Sequence, residues 1–252
     1  MFRPRIIPVL QIRDGALVKS VQFKNHRYIG DPINAVRIFN DFRADEIIIL
    51  DIDATNRNSV IDTSLVREIS EEANMPFSVG GGVNSIDQIY KLLRSGAEKV
   101  VINSAAIENP SFVRQAADNF GSSTIVVCID VKKSIFGNYK VYSHRGRKTN
   151  SSNLLESLAK MEEAGAGEII IQSVDQDGMM RGYDHNIYRL PSRSISVPIL
   201  ALGGAGSIKD VEALWRDSSV NGFCGGSIFV YWGKMNGVLI NYPKHENDAF
   251  QK

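Results

Sequence analysis

Five aspartates stand at or just past the ends of short apolar runs, where they could perform acid–base chemistry. They are Asp51, Asp53, Asp130, Asp175 and Asp177. Neighbouring carboxylates around one site can push each other's pKa values apart, so that one serves as an acid and another as a base. Asp130 is our candidate for such a role. For each of the other four, a structural task such as capping a loop or orienting a lysine is the better interpretation.

Two pairs of glycines could bind phosphate groups. Gly81-Gly82 and Gly203-Gly204 each follow an apolar run and precede a segment that begins like a helix. Glycine lets backbone N–H groups approach an anion closely, and the N-terminus of a helix favours negative charge. The next apolar run in each case ends in Asn103-Ser104 or in Gly226-Ser227, which add N–H and hydroxyl donors. We expect two phosphate sites, although the same glycines would also suit tight turns that bind nothing.

The elements that must position these residues alternate along the chain. Eight short apolar runs are separated by segments with helical spacing and helix-start signals, such as Asp31 before Pro32 and the capping-box spacing of Ser207–Asp210. Such runs are typical of parallel strands covered on both faces. Eight strand–helix units predict a closed (β/α)8 TIM barrel, an α/β fold whose sites lie at the C-terminal ends of the strands. The eight runs lie near Ile6–Leu10, Glu46–Leu50, Phe77–Val79, Lys99–Ile102, Ile125–Ile129, Glu168–Ile171, Ile199–Leu202 and Gly222–Cys224.

The two halves of the chain resemble each other. Residues 76–86 align with residues 198–208, and residues 47–53 with residues 169–175, in both cases 122 positions later. The first run aligns 119 positions later, which pairs Gln11 with Asp130. The sequence therefore predicts one barrel domain over residues 1–252, duplicated from half-barrels of about 1–121 and 122–243. The stretch after Ser227 is too short and too interrupted by Gly and Pro for a full helix, so we expect a degenerate last helix and a polar tail over 244–252.

Bulk composition narrows the classes of function. The chain has 252 residues, of which 43% are hydrophobic and 23% charged, and 29 basic residues nearly balance 28 acidic ones. A net charge near zero provides no field of one sign to hold nucleic acid or a membrane surface, so neither is expected as a partner. Cys128 and Cys224 lie in apolar runs, which indicates reduced, buried thiols. With no recognisable signal peptide or spanning segment, we expect a cytoplasmic protein that uses no metal and no cofactor.

A dense set of short motifs extends from residue 5 to about residue 229 without a large gap. They are Arg5–Leu10, Asp14–Gly15, Gly30–Pro32, Asp45–Ile52, Val79–Gly82, Lys99–Asn103, Glu108–Pro110, Gly165–Glu168, Asp175–Gly178, Gly182–Asp184 and Gly203–Gly206. Together these motifs resemble the cyclase subunit of imidazole glycerol phosphate synthase. The resemblance implies a glutaminase partner on the N-terminal face of the barrel. It also implies that ammonia passes through the barrel to a bisphosphorylated ribonucleotide at the other face.

The resemblance further implies a charged gate for ammonia. Arg5, Glu46, Lys99 and Glu168 match the four alternating charges of the family's gate. All four stand at predicted strand starts, so they should ring the bottom of the barrel, where two cations balance two anions. A purely structural ring is the alternative interpretation. Glu98, beside the ring, is expected at the interface with the glutaminase.

The family uses two aspartates as acid and base, and this chain departs from that pattern. Asp130 matches one of them, but Gln11 stands where the other is expected. An amide has no titratable proton near neutral pH, so Gln11 can orient a ligand but cannot act as a general base. Lys19 belongs to the first loop and is the third expected catalytic position. The implied phosphate ligands are Gly82, Asn103, Ser104, Asp177, Gly178, Gly204, Gly226 and Ser227.

Other departures cluster at the same face of the barrel. Ser20, Gln172 and Leu202 replace a glycine, a threonine-type residue and a small polar residue of the family. With the gate complete, this pattern resembles the paralogues associated with acetamidino-sugar synthesis in surface-polysaccharide pathways, where the barrel works with a glutaminase and a separate sugar amidotransferase. Three alternatives stay open. They are an ordinary histidine-pathway cyclase that tolerates Gln11, a non-catalytic scaffold that activates its glutaminase, and the related aminoaldose isomerase, which needs no glutaminase.

Overall fold

The structure of the chain is a computed structural model, and it describes residues 4–134, 136–143, 148–189 and 191–243. The predicted polar tail over residues 244–252 lies outside the described residues. Within them, no helix is long and apolar enough to cross a membrane.

Eight parallel strands close into a barrel, as the sequence predicts. Each barrel strand pairs with the next one along the chain, and the eighth pairs with the first. The pairing of the fifth with the sixth runs along Glu168–Ser173, so the ring has no gap. The predicted (β/α)8 fold is therefore confirmed, with all eight apolar runs forming barrel strands. These strands are β1 (Arg5–Arg13), β4 (Ile47–Asp51), β5 (Phe77–Gly80), β6 (Lys99–Ile102), β7 (Ile125–Lys133), β10 (Glu168–Ser173), β11 (Ile199–Leu202) and β12 (Gly222–Gly225).

Helices cover the outside of the barrel and begin where the sequence signals them. The Asp31 side chain accepts the Asn34 N–H at 2.8 Å ahead of Pro32, and the Asp210 carboxylate accepts the Ser207 N–H at 2.8 Å. These bonds satisfy N–H groups that the first turn of a helix leaves free. The helices are α1 (Pro32–Asp41), α2 (Thr63–Glu72), α3 (Ile86–Arg94), α4 (Ser104–Glu108), α5 (Pro110–Phe120), α6 (Leu154–Glu163), α7 (Asn186–Arg189), α8 (Pro191–Ser194), α9 (Ile208–Asp217) and α10 (Ser227–Val230), with a 3-10 turn at Ser122–Thr124.

Three antiparallel hairpins were not anticipated from the sequence. Strands β2 (Ala16–Val21) and β3 (Lys24–Gly30) extend from β1, and β8 (Tyr139–Ser143) and β9 (Lys148–Asn153) extend from β7. After the four-residue α10, the two-residue strands β13 (Tyr231–Trp232) and β14 (Gly237–Val238) form the third hairpin. The degenerate last helix is thus observed, and a small hairpin follows it.

The two halves of the barrel repeat several details. The glycine after β5 and the one after β11 both have positive φ, +122° at Gly81 and +101° at Gly203. A Cβ on Gly81 would lie 2.4 Å from the Asp51 carbonyl oxygen, and one on Gly203 would lie 2.6 Å from that of Ser173. Each turn therefore requires glycine because the preceding strand passes too close. These repeats agree with a duplicated half-barrel, whose boundary near residue 121 stays a prediction.

Candidate functional site

The alternation of side chains along the strands places two polar layers at opposite ends of the barrel. On β1 the inward side chains are those of Arg5, then Ile7 and Val9, then Gln11, because successive residues of a strand face opposite sides. The same order holds along β10, with Glu168, Ile170 and Gln172, and β6 repeats it with Lys99, Val101 and, just past its end, Asn103. The inward apolar layer contains Ile7, Val9, Ile48, Val101, Val126, Cys128, Ile170, Leu200, Leu202 and Cys224.

A cavity of about 430 Å³ opens at the C-terminal ends of the strands. Of the expected catalytic residues, Gln11, Lys19 and Asp130 all line it. The cavity also brings together side chains and glycines that lie far apart in the sequence. Among the expected phosphate ligands, those that line the cavity are Gly82, Asn103, Ser104, Asp177 and Gly226.

Asp130 is a buried carboxyl group at the floor of this cavity. Burial raises its pKa from its ordinary value to about 7, with a further increase from the negative charge of Asp177. The Asn103 amide opposes this effect by donating a hydrogen bond to Oδ2 at 3.2 Å. A carboxyl group with a pKa near the working pH can both give and take a proton, which is the property that general acid–base catalysis requires.

Gln11, the position equivalent to Asp130 in the first half, is engaged with the first hairpin. Its side-chain oxygen accepts the backbone N–H of Ser20 at 3.0 Å and lies 3.0 Å from the Ser20 hydroxyl oxygen. No hydrogen bond from its Nε2 to another described residue is found, and the side chain lines the cavity. Gln11 can therefore offer amide N–H groups to a ligand while its oxygen is occupied.

Lys19 forms a buried ion pair across the mouth of the barrel. Its Nζ lies 3.0 Å from Asp177 Oδ1 and donates to the Ser20 carbonyl oxygen at 2.7 Å. The two side chains are only 4% and 6% exposed. Asp177 thus orients the lysine, which is the structural task expected for such an aspartate, and the same residue lies in the expected phosphate region.

The phosphate region of the first half contains donors that already have partners. Asn103 Nδ2 donates to the Cys128 carbonyl oxygen at 3.0 Å as well as to Asp130, and the Ser104 hydroxyl group donates to Asn103 Oδ1 at 3.3 Å. Gly82 has φ +70°, and a Cβ there would lie 1.8 Å from the Ser59 carbonyl oxygen. Any larger residue at position 82 would therefore clash with the Ser59 backbone, whether or not an anion binds there.

The phosphate region of the second half differs from that of the first in the state of its serine hydroxyl group. The Ser227 hydroxyl oxygen is buried and has no hydrogen-bond partner among the described residues. Gly226, just before it, lies against the side chain of Lys19, since a Cβ there would be 2.9 Å from Lys19 Cε. A buried hydroxyl group without a partner is costly, and this one follows directly on the glycine that contacts Lys19.

Two further expected phosphate ligands are set back from the cavity. Gly178 packs beneath the first hairpin, where a Cβ would lie 2.4 Å from the Ser20 carbonyl oxygen. Gly204 accepts a hydrogen bond from the Gly182 N–H at 2.9 Å. Gly178, Gly204 and Ser227 are absent from the cavity lining within the described part of the chain.

Most remaining aspartates at this face hold loops in place, as expected. Asp51 accepts hydrogen bonds from the Asp53 and Ala54 N–H groups at 3.0 Å and forms an ion pair with Arg57 at 2.6 Å. Asp53 pairs with Arg13 at 2.7 Å. These are structural interactions, and they bring a cation that the sequence reasoning missed to the cavity wall.

Arg13 is that cation, and it lines the cavity together with His26 from the first hairpin. Its Nη1 lies 3.1 Å from His26 Nδ1. Burial and the charge of Arg13 lower the pKa of His26. The sequence contained a signal for Arg13. It stands two residues after Gln11 on β1, so the alternation of the strand places both side chains on the same face, just before the Asp14–Gly15 turn.

At the opposite end, the four expected gate residues form a closed ring of ion pairs. Arg5 contacts Glu46 at 2.9 Å and Glu168 at 2.8 Å. Lys99 contacts the same two carboxylates at 3.2 and 3.1 Å. Burial opposes the charge of Arg5, but the two glutamates outweigh it and raise the pKa of Arg5.

Neighbours of the ring complete its environment. The Ser78 hydroxyl group donates to Glu46 Oε1 at 3.2 Å, so this carboxylate has three partners. Glu98, the expected partner-interface residue, is exposed beside Lys99, and its N–H donates to the Phe77 carbonyl oxygen at 3.2 Å. The sequence placed all five residues at this end, and the structure brings them there.

Between the ring and the cavity, the inward layer of the described barrel strands is made of apolar side chains. Burial raises the pKa of both Cys128 and Cys224 well above the ordinary thiol value, so both thiols are neutral near pH 7. The Cys128 thiol lies 3.9 Å from the Asp130 carboxyl group and from Gln172 Oε1. An uncharged interior of this kind is compatible with a small neutral molecule and disfavours an ion.

Comparisons with known proteins agree with this arrangement. The family described as histidine biosynthesis protein matches residues 5–236. The chain is 38% identical over 231 residues to an imidazole glycerol phosphate synthase subunit HisF of Streptococcus mutans, covering 92% of both chains. It is 42% identical over 248 residues to a relative from Leptospira interrogans, covering 98% of both chains, and 42% identical over 243 residues to one from Pseudomonas aeruginosa, covering 96% of this chain and 97% of the relative; the names of these two assign the same synthase subunit provisionally.

Proposed function

The chain belongs to the histidine biosynthesis family as a HisF-type cyclase subunit of imidazole glycerol phosphate synthase, and from that premise we propose which branch of the family it represents. It receives ammonia from a glutaminase partner at the ring of Arg5, Glu46, Lys99 and Glu168. It conducts the ammonia through the barrel to the cavity that Asp130 lines, and the ammonia serves the amidation of a surface-polysaccharide sugar by way of a separate amidotransferase.

The observation that carries this proposal is the asymmetry between Gln11 and Asp130. The two positions are equivalent in the two halves, yet only Asp130 can exchange a proton near pH 7. Gln11 lacks a titratable group and uses its oxygen to hold Ser20. A cyclisation that needs a base on one side of the ligand and an acid on the other has lost one of them.

The intact ring supports the conduit part of the proposal. Four charges paired within 3.2 Å close the bottom of the barrel, and an apolar layer without charged side chains follows. Ammonia is small and neutral, so it suits such a path better than ammonium does. An isomerase that needs no glutaminase would have no use for this ring.

The names of two relatives support the proposal that this chain belongs to a branch separate from the ordinary cyclases. The relative from Pseudomonas aeruginosa is called hisF2, and one from Vibrio vulnificus, also 42% identical, is called hisF3. The three Streptococcus relatives named without qualification are 37% or 38% identical. Numbered names are those expected of additional copies beside an ordinary cyclase.

An ordinary cyclase of histidine biosynthesis is the second candidate. It would convert the bisphosphorylated ribulosyl-formimino aminoimidazole carboxamide nucleotide and ammonia to imidazole glycerol phosphate and AICAR. The observation that favours it is the state of Asp130, whose pKa of about 7 suits a working acid or base. The expected phosphate positions on both sides of the cavity also favour a ligand with two phosphates.

One assay separates these candidates. Product formation is measured with free ammonium at high pH, so that no glutaminase is needed, for the wild type and for Gln11→Asp. We expect a wild-type rate about 10²–10⁴-fold below that of a cyclase with aspartate at this position, and a partial recovery in Gln11→Asp. A wild-type rate equal to that of ordinary cyclases would overturn the proposal in favour of the second candidate.

A matched control uses Gln172, another glutamine on the cavity wall. Gln172→Asp introduces the same charge on β10, where no proton transfer is proposed, and should recover no activity. If neither the wild type nor Gln11→Asp shows activity while a glutaminase is still stimulated, the chain is a conduit or a scaffold, and the phosphate regions are inherited structure.

A further inference from the structure

We infer that Gln11 is a positioning residue whose side-chain oxygen latches the β2–β3 hairpin shut over the cavity, with Ser20 as its specific partner. The latch consists of Gln11, Lys19, Ser20 and Asp177. It assigns a joint task to two residues that depart from the family pattern. The inference does not depend on which molecule finally accepts the ammonia.

The hydrogen bonds at Ser20 carry the first step. The oxygen of Gln11 accepts the Ser20 N–H at 3.0 Å, and the Ser20 hydroxyl group, which has one proton to donate, lies 3.0 Å from both Gln11 Oε1 and Asp177 Oδ2. Both residues are buried, so the Ser20 N–H would be left unpaired, at a cost in free energy, if the acceptor at position 11 were removed. Glycine at position 20 could supply the N–H alone, which means that the hydroxyl half of the latch exists only with serine.

The second step is the attachment of the hairpin to the other half of the barrel. Lys19 pairs with Asp177, the Ser20 hydroxyl oxygen lies 3.0 Å from Asp177 Oδ2, and the Gln22 N–H donates to the Asp177 carbonyl oxygen at 2.9 Å. Gly178 lets the backbone of Ser20 approach directly. The hairpin thus spans the mouth of the barrel and joins the loop that follows β10.

The charge balance explains why an amide suits position 11. The latch buries one cation, Lys19, and one anion, Asp177, so it is neutral as it stands. A carboxylate at position 11 would face Asp177 across the hydroxyl group of Ser20, which lies 3.0 Å from each side chain. Gln11 provides the same acceptor oxygen without a second negative charge.

Hydrogen exchange of the intact protein tests the latch. The readout is the exchange rate of amides in residues 21–30, none of which bonds to Gln11, so that their exchange reports opening of the hairpin. Gln11→Met keeps the length and approximate volume of the side chain but removes the acceptor. It should raise the exchange rate about tenfold, the effect of leaving the buried Ser20 N–H without an acceptor. A role limited to filling space predicts no change.

Two variants measure the specificity of the pairing. Gln11→Glu retains an acceptor at the same reach, so its exchange should lie between that of the wild type and that of Gln11→Met. Ser20→Ala keeps the N–H that Gln11 accepts and removes only the hydroxyl group, so it should raise exchange less than Gln11→Met does.

Gln172→Met is the matched control, since Gln172 is equally buried in the wall of the same cavity and makes no bond to the hairpin in the described structure. It should leave exchange of residues 21–30 unchanged. Exchange of β5 and α3 in every variant reports any general loss of stability. Unchanged exchange in Gln11→Met, an equal effect of Gln172→Met, or a larger effect of Ser20→Ala than of Gln11→Met would each overturn the latch.

Discussion

The two ends of the barrel interior follow opposite rules for polar groups. At the bottom, Arg5, Glu46, Lys99 and Glu168 satisfy one another in a closed ring. At the top, Asp130 is held near neutrality by burial, and Ser227 keeps a buried hydroxyl group without a partner among the described residues. The difference teaches that the ring residues satisfy one another, whereas the top combines a carboxyl group whose pKa burial raises with a hydroxyl group that finds no partner in the described structure.

Breaking the ring should give the largest effect on folding. Glu46→Ala removes a partner of Arg5, of Lys99 and of Ser78 together, and leaves the two partly buried cations with Glu168 as their shared carboxylate. We expect a loss of about 3 kcal/mol in the free energy of unfolding, measured by urea denaturation. Asp87→Ala provides the comparison, since its pair with Lys91 is exposed on α3 and should contribute less than about 0.5 kcal/mol. Equal losses in the two variants would show that the ring is only a surface feature.

Replacing the Asp130 carboxyl group by an amide should have the opposite effect and increase the free energy of unfolding above pH 4. Because burial raises the folded pKa of Asp130 to about 7, the folded state holds a proton that the unfolded state releases near pH 4. Stability attributable to this group is therefore lost as pH rises from about 4 to about 7. Asp130→Asn should match the wild type near pH 4 and exceed it by at most about 4 kcal/mol at pH 8.

The control for this pH dependence is Asp51, a buried carboxylate that has an ion pair and two backbone N–H donors. Asp51→Asn weakens an ion pair with Arg57 and the bonds to two backbone N–H groups, so this variant should lose stability at pH 8. Thermal unfolding of both variants across the pH range measures the contrast. An Asp130→Asn variant that loses stability at pH 8 would show that its carboxylate is satisfied in the folded protein.

A smaller effect should separate binding from stability at Ser227. Because its hydroxyl group has no partner among the described residues, Ser227→Ala should leave the melting temperature unchanged or raise it. If the group contacts an anion, the same change should weaken binding of inorganic phosphate by at least about tenfold, measured by calorimetry. Ser104→Ala, whose hydroxyl group bonds to Asn103, should lower the melting temperature. Undiminished phosphate binding in Ser227→Ala would remove the second phosphate region from the account.

The sequence predicted the barrel because its strands leave a strong signal. Runs such as Ile47–Ile49 are covered on both faces, so they read as continuous apolar segments. The hairpin β2–β3 leaves no such signal, since most of Lys24–Gly30 is exposed and polar. The positions of the ring residues could be predicted because each stands at the start of a strand. In a parallel barrel all strand starts lie at the same end.

The arrangement at the cavity could be predicted only in part. The internal repeat placed Asp130 and Gln11 at one mouth and the family resemblance added Lys19, and the structure brings all three to the cavity. Their partners depend on contacts between residues more than 150 positions apart, such as that of Lys19 with Asp177. No local pattern encodes such a contact, and the bond between Gln11 and Ser20 likewise depends on how the hairpin folds back on β1.

The most direct test of the central claim, that the ring is an entrance served by another protein, is to mix this chain with its cognate glutaminase. Sedimentation velocity at micromolar concentrations should show a one-to-one complex, and glutamine hydrolysis should be faster in the mixture than in the glutaminase alone. Glu98→Lys, which reverses an exposed charge beside the ring, should weaken both effects. Two separate sedimenting species with unchanged glutamine hydrolysis would contradict the account.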